Sequence, residues 1–269
     1  MRNEEWGMRN RGECMVDLAS RIVYCDSCCV VVNKIAGEAT EGARPGMGDL
    51  PRLLAAELAA PRWSPVCGGA LAVPEAAHRL DVPVSGCAVF ARTQAALVSL
   101  SRAFAENAVE KRYWAIVEQP DDQLPQDAAE GIELVHWIRF DTRKNRSIAH
   151  DEPGPGRKKA VLRLRQIGAG RDYLFLEVEL LTGRRHQIRA QLERLGLHVK
   201  GDLRYGARRS EKGGGIRLHA RSVVFPDPTG SGRRIAVQAD PHLRDNLWLA
   251  FEEAVTPLHK ITVFARLKA

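Results

Sequence analysis

Three short stretches of this chain set acids, cations and aromatics close enough to do chemistry. His78-Arg79-Leu80-Asp81 puts a carboxylate beside a cation just ahead of an apolar run that begins at Val84. An acid at the mouth of a strand, flanked by Arg, suits nucleophilic or acid–base work. Taken alone, the same tetrapeptide reads as a turn before Val82-Pro83. The second stretch is Thr182-Gly183-Arg184-Arg185-His186-Gln187-Ile188-Arg189. Read as a helix start, it stacks His186 and Arg185 over Arg189 within one turn. Cations at that spacing repel, which predicts an anion beside them, such as phosphate at the helix N-terminus. A solvated basic helix start is the plainer alternative. The third is Glu110-Lys111-Arg112-Tyr113-Trp114-Ala115-Ile116-Val117. Strand alternation turns Tyr113 and Trp114 to opposite faces, so Tyr113 can stack on a nucleobase while Trp114 packs in the core.

The elements that must position these groups are readable. Arg21 to Lys34 reads as a hairpin turning at Asp26-Ser27. Asp49 is placed to cap a helix whose Leu53, Leu54 and Leu58 share a face. Val84 to Ala91, a helix capped by Thr93 with Leu97, Leu100 and Phe104 on one face and Asn107 at its end, and Tyr113 to Val117 form a strand–helix–strand unit. Residues 119–131 read as an acidic loop and 150–159 as a breaker-rich connection. Tyr173 to Leu181 carries apolar residues on both parities, as a central strand does, and runs into Thr182-Gly183. A helix follows with Ile188, Leu192 and Leu195 inward and Gly196 closing it, and Leu218 to Phe225 is a later strand. Both element types without a βαβ rhythm predict an α+β fold with a mixed sheet.

Composition narrows the chemistry. The 269 residues carry a formal charge of +7. The segment Arg139 to Arg221 holds 21 Lys+Arg against 9 Asp+Glu, a surplus of +12 that leaves the remainder at −5. That asymmetry points to a polyanionic partner. Uncharged runs such as Trp63 to Pro74 are far too short to span a bilayer, and the polar start Met1-Arg2-Asn3-Glu4-Glu5 lacks the apolar core of a secretory signal. Cys25, Cys28 and Cys29 resemble half a zinc site, yet neither a Cys nor a His pair follows at finger spacing, so thiols buried in a strand are the expectation, with no metal. No Gly-x-Gly-x-x-Gly or Walker-type motif is present.

Taken together and in order, these blocks closely resemble the RluA family of RNA pseudouridine synthases. The resemblance runs from about Ile22 to about Pro241. It is carried by Val31-Val32-Asn33-Lys34 with Ala36-Gly37, by His78-Arg79-Leu80-Asp81 with Ser85-Gly86, by Lys111-Arg112-Tyr113-Trp114-Ala115, and by Leu181 through Arg189. Gly201-Asp202-Leu203-Arg204-Tyr205-Gly206 and Leu218-His219-Ala220 continue it. Ile35 stands where the family's block carries Pro, a departure that bears on the stiffness of that loop.

The resemblance implies a catalytic domain with a mixed, mainly antiparallel bent β-sheet flanked by helices and loops. It implies Asp81 as the catalytic aspartate, Tyr113 as the active-site tyrosine and Arg189 as the basic residue that pairs with the aspartate, with Arg184 as a second-choice partner. His78, Arg79, Arg184, Arg185, His186 and Gln187 are expected to contact RNA. The expected layout is a polar arm over 1–20, too short for a separate RNA-binding domain, a catalytic domain over 21–241, and an extension over 242–269 packed on it. The expected reaction breaks the N1–C1′ bond of an extruded uridine and rejoins the base through C5, which requires no metal or other cofactor. Ribosomal or transfer RNA is the expected substrate, and a cytoplasmic monomer the expected state. A non-catalytic RNA-binding protein using the same basic groove, and a metal-dependent nuclease, are the rival readings. A pure binder has no use for a carboxylate in a cationic groove, and a nuclease needs several metal-binding side chains in one place.

Overall fold

The computed structural model describes residues 17–265 apart from 46, 64, 66–68, 121–125, 212–213 and 243. Cys14, Cys67, most of the expected N-terminal arm, part of the acidic loop and the end of the C-terminal extension lie outside the described residues. In chain order the strands are β1 (Ile22–Cys25), β2 (Cys29–Lys34), β3 (Glu38–Ala39), β4 (Gly48–Asp49), β5 (Ala70–Ala76), β6 (Ser85–Thr93) and β7 (Glu110–Glu118). They continue as β8 (Ile132–Asp141), β9 (Arg146–His150), β10 (Lys158–Ala169), β11 (Tyr173–Leu180), β12 (Leu218–Pro226) and β13 (Arg234–Gln238). The helices are α1 (Leu18–Arg21), α2 (Leu50–Leu58), α3 (Gln94–Ala105), α4 (Gln187–Arg194) and α5 (Asn246–Ala265).

Among the described residues, one sheet runs in the order β1-β2-β6-β12-β7-β11-β10-β8-β9, with β5 added to β6 and β13 to β12. Only β6 and β12 pair in parallel within it, so the fold is the mixed, mainly antiparallel α+β architecture expected. Local chemistry explains the turns. Asp26 Oδ1 accepts from the Cys28 and Cys29 amides at 2.7 and 2.8 Å, which closes the β1–β2 hairpin. Thr93 Oγ1 accepts from the Ala96 amide and caps α3. Asn107, with φ of 56°, turns the chain out of α3 toward β7. Cys28 and Cys29 are buried with Val31 and Cys87 in one apolar cluster.

Two helix faces differ from the expectation. Helix α2 starts one residue after Asp49, so Leu50 and Leu54 face the core and Leu53 is 45% exposed. In α4, Leu195 caps the helix at 38% exposure, and Leu197, beyond the Gly196 turn, fills the buried place instead. Lys158 and Lys159 also belong to β10 and not to the connection before it.

The two faces of β7 serve different cores. Tyr113, Ala115 and Val117 join the apolar cluster that includes Leu80, Val84 and Ile188. Trp114 and Ile116 pack the other way, against Phe175 and the α5 residues Trp248 and Phe251. The parallel seam sets the distance between β6 and β12. There Gly86 has φ of 108°, and a Cβ on it would stand 2.3 Å from the Ala220 carbonyl oxygen. Gly86→Ala must therefore push the strands apart in a backbone region closed to alanine. It is expected to cost about 3 kcal/mol or more, a fall of roughly 6–12 °C in melting temperature for a domain of this size. A melting temperature within about 2 °C of the parent would show the seam to be soft.

Candidate active site

A cavity of about 290 Å³ opens on the Tyr113 face of β7, and Asp81, His186 and Arg189 line it together with that tyrosine. Asp81 sits in a turn between β5 and β6, where its carbonyl accepts from the Val84 amide at 2.9 Å. The loop after β2 pins this turn from below. Lys34, fully buried, donates to the Ile35 and Val82 carbonyls at 3.0 and 3.1 Å, and the Gly37 amide donates to the Val82 carbonyl at 2.9 Å. Burial lowers the Lys34 pKa to about 7, against the attraction of Glu38 and Asp81. The departure at Ile35 has a local use: its amide, which proline lacks, donates to Glu38 Oε2 at 3.1 Å, and Glu38 in turn holds Arg21 through two bonds of 2.8 Å.

Arg189 is the centre of the site. It is 4% exposed and lies in α4, all of whose residues from Gln187 to Leu192 are buried. Its Nε and Nη2 donate to the two carboxylate oxygens of Asp202 at 2.6 and 2.8 Å, and Nη1 donates to Asp81 Oδ2 at 2.9 Å. Burial opposes the guanidinium charge, but Asp202 and then Asp81 outweigh it and hold the pKa above the ordinary arginine value. The Tyr205 ring lies under the guanidinium at 4.6 Å.

A second path links the same groups. The Tyr205 hydroxyl accepts from the Ser147 amide at 2.7 Å and meets His186 Nδ1 at 3.0 Å. A neutral ring that accepts the hydroxyl hydrogen at Nδ1 carries its own proton on Nε2. His186 Nε2 faces Asp81 Oδ2 at 3.7 Å. Burial lowers the His186 pKa to about 4, so the ring is neutral at pH 7. Tyr113, 6% exposed, has its pKa raised by burial and by the Asp81 charge, and stays a phenol.

The basic block differs from its helical reading. Arg185 and His186 precede α4, with His186 in a left-handed conformation at φ 50°. Arg185 is drawn away from Arg189: its guanidinium lies 3.8 Å over Phe140 and donates to Asn145 at 2.8 Å. The anions that Arg189 required are two carboxylates of this chain. Arg184 is not a partner of Asp81; its Nε donates to the Lys159 carbonyl at 3.0 Å. Gln187, expected at the RNA, is 3% exposed and spends both ends internally, on Thr182, the Arg184 amide, Val161 and Gln191. His78 lines the cavity but its Nε2 accepts from the Val89 amide at 3.2 Å and its ring stacks on Phe104. Arg79 stands at the rim with its side chain 52% exposed, 3.8 Å from Glu41.

Asp202 and Tyr205 were quoted within the resemblance without a role. Burial, which the fold and not the sequence pattern shows, is what calls for them: an arginine enclosed with the rest of its helical turn needs carboxylate partners. Among the described residues, no group of three or more His, Cys, Asp or Glu is arranged to hold a metal ion.

Comparison with known proteins identifies the family. A family model described as RNA pseudouridylate synthase matches residues 29–194. An uncharacterized RNA pseudouridine synthase of Zymomonas mobilis is 30% identical, over 77% of this chain and 87% of its own. The ribosomal large subunit pseudouridine synthase D of the same organism is 30% identical, over 83% of this chain and 70% of its own. In structure, the human RNA pseudouridylate synthase domain-containing protein 1 superposes with a TM-score of 0.62 at 24% identity, covering 87% of this chain and 86% of its own, a likeness of fold.

Removing one partner of a buried ion pair strands the other. Asp202→Ala is expected to cost about 3–5 kcal/mol, read as a lower urea midpoint at unchanged slope. A loss under about 1 kcal/mol would mean that the pair bears no structural weight.

Proposed function

The chain belongs to the RNA pseudouridine synthases, in their RluA branch, and from that premise we propose how its cavity isomerises uridine. The observation that carries the reading is a single carboxylate, Asp81, held by a buried arginine at the end of a cavity walled by Tyr113. The reaction breaks the N1–C1′ bond, turns the base and joins C5 to C1′, with the C5 hydrogen released. The glycosidic bond is out of reach inside a helical stack, so the uridine is extruded into the cavity. Asp81 acts as the carboxylate, either adding to C1′ or removing the C2′ proton as the bond breaks. Arg189 orients it and favours its charged form. Tyr113, kept as a phenol, stacks on the base and relays a proton from the sugar through its hydroxyl.

Arg79, Arg184 and Arg185 at the rim supply contacts to the RNA backbone, and His78 and His186 support the nucleotide through the cavity wall. Gln187 serves by holding α4 to Thr182. Residues 21–241 form the catalytic domain, and the packing of Trp248 and Phe251 on β7 supports the reading of 242–269 as an extension folded onto it. A monomer is the acting unit we assign. No helix among the described residues is long and apolar enough to cross a membrane, and the cytoplasm is the compartment we assign. Ribosomal RNA is the first substrate to try, given the relative named for the large ribosomal subunit, and transfer RNA the second.

The test uses RNA from cells lacking this protein, grown on uridine tritiated at C5. The purified protein is expected to release tritium to water from that RNA, and sequencing then maps the site. Asp81→Asn should lower release to background while RNA affinity stays within about threefold of the parent, as expected for a group that acts in the reaction and not in binding. Substantial remaining turnover would remove Asp81 from its role. Tyr113→Phe is expected to slow release by about 100-fold at unchanged melting temperature; near-parental rates would leave the residue as a stacking surface alone.

A further inference from the structure

Buried cations in this protein are matched almost everywhere. Arg21 meets Glu38, Arg189 meets Asp202 and Asp81, Arg217 meets Glu211 and Asp245, and Lys34 meets two carbonyls. Lys111 departs from this rule. It is 6% exposed, lines the same cavity as Asp81, and has neither a hydrogen bond nor an ion pair with any described residue. Burial lowers its pKa with no carboxylate acting against it. An ammonium lining a cavity with no carboxylate of the protein against it is placed to meet negative charge on whatever the cavity holds.

Its placement says where on the ligand that charge falls. Lys111 and Tyr113 are two residues apart on one face of β7, about 7 Å along the strand and close to the breadth of a pyrimidine with its carbonyls. Tyr113 stands opposite Ala220 of β12, which pairs with Gly86 close after the Asp81 turn, whereas Lys111 stands opposite Val223, three residues further along β12. The ammonium therefore stands beyond Tyr113, at the end of the cavity away from Asp81. A base stacked on Tyr113 with its ribose at Asp81 turns its outer edge toward Lys111.

Charge conservation supplies the need. Whether Asp81 forms a bond to C1′ or takes the C2′ proton, its negative charge is consumed. The electron pair of the broken C1′–N1 bond passes to uracil, where it spreads over N1, O2 and O4. The charge thus leaves the Asp81–Arg189 end and reappears on the base. We propose that Lys111 is a further catalytic residue, whose ammonium stabilises the uracil anion released as the C1′–N1 bond breaks. This rests on the pseudouridine synthase reading of the cavity. Because the charge exists only once the bond is breaking, the contact belongs to the transition state and intermediate and contributes little to binding of the RNA.

Lys111→Met separates the possibilities, assayed with the same C5-tritiated RNA under single-turnover conditions. The expected result is a 100- to 1,000-fold slower release, an RNA affinity within about threefold of the parent, an unchanged salt dependence of binding, and a melting temperature at or above the parent's, since an unmatched charge is removed. Lys111→Arg, which keeps the charge, should restore most of the rate. RNA containing 5-fluorouridine carries a better leaving group, so its consumption by Lys111→Met should fall short of the parent by at least tenfold less than the uridine deficit. Lys111→Gln replaces Lys111→Met in each measurement if the latter does not fold.

A weaker affinity with the salt slope reduced by about one would make Lys111 a phosphate anchor and overturn the proposal. Equal deficits on uridine and 5-fluorouridine, or a near-parental rate, would overturn it too. If the parent itself releases no tritium, the pseudouridine synthase reading of the cavity fails and this role fails with it. A working parent beside an unimpaired Lys111→Met variant removes the role of Lys111 alone.

Discussion

One buried guanidinium organises this protein. Arg189 lies within a helix that has no solvent-facing side over its first six residues, and such a charge is stable only when matched. Its two matches come from distant parts of the chain: Asp81 from a turn between β5 and β6, and Asp202 from the segment leading to β12. The pairing with Asp202 is bidentate and fixes the plane of the guanidinium, so the one nitrogen left over, Nη1, points at Asp81. The Asp81 carboxylate is thus held by a group that is itself held. Tyr205 completes the enclosure by lying under the guanidinium and meeting His186 Nδ1 with its hydroxyl.

The sheet exists around this point in a specific way. Alternation along β7 gives the cavity Tyr113 and Lys111 and gives the opposite core Trp114 and Ile116. The close parallel approach of β6 and β12 at Gly86 begins only five residues after Asp81, so the strand that follows the carboxylate is anchored almost at once. Beneath, Lys34 and the loop to Gly37 tie the Asp81 turn to β2 through backbone carbonyls.

The charge arithmetic looks different once the partners are visible. The segment Arg139 to Arg221 carries a surplus of +12, yet several of its cations are structural: Arg146 pairs with Glu193, Arg165 with Glu177, Arg189 with Asp202, and Arg217 with Glu211 and Asp245. Some of those acids lie inside the segment and some outside it. Net charge therefore indicated a polyanion correctly in kind, but which cations remain for RNA is a property of the fold.

Much of this was legible from order along the chain. The Asp26 hairpin, the Thr93 cap, the Asn107 exit and the opposite faces of Tyr113 and Trp114 each follow from interactions within a few residues, and each is present in the structure. The phases of Leu53 and Leu195 were not, because a shift of one position at a helix end moves the buried stripe by about 100°. The basic block from Arg184 to Arg189 was misread for a related reason: its helix starts three residues later than the charges imply, so Arg185 turns to Phe140 and Gln187 turns inward. The sequence by itself determined the element types, the family and the residues that could carry chemistry. Tertiary structure alone decided which of them meet, since Arg189 and Asp81 are 108 residues apart and Lys111 has no carboxylate brought against it among the described residues. Local pattern encodes conformation over a few residues, whereas burial and charge matching are settled only when distant segments close around the same space.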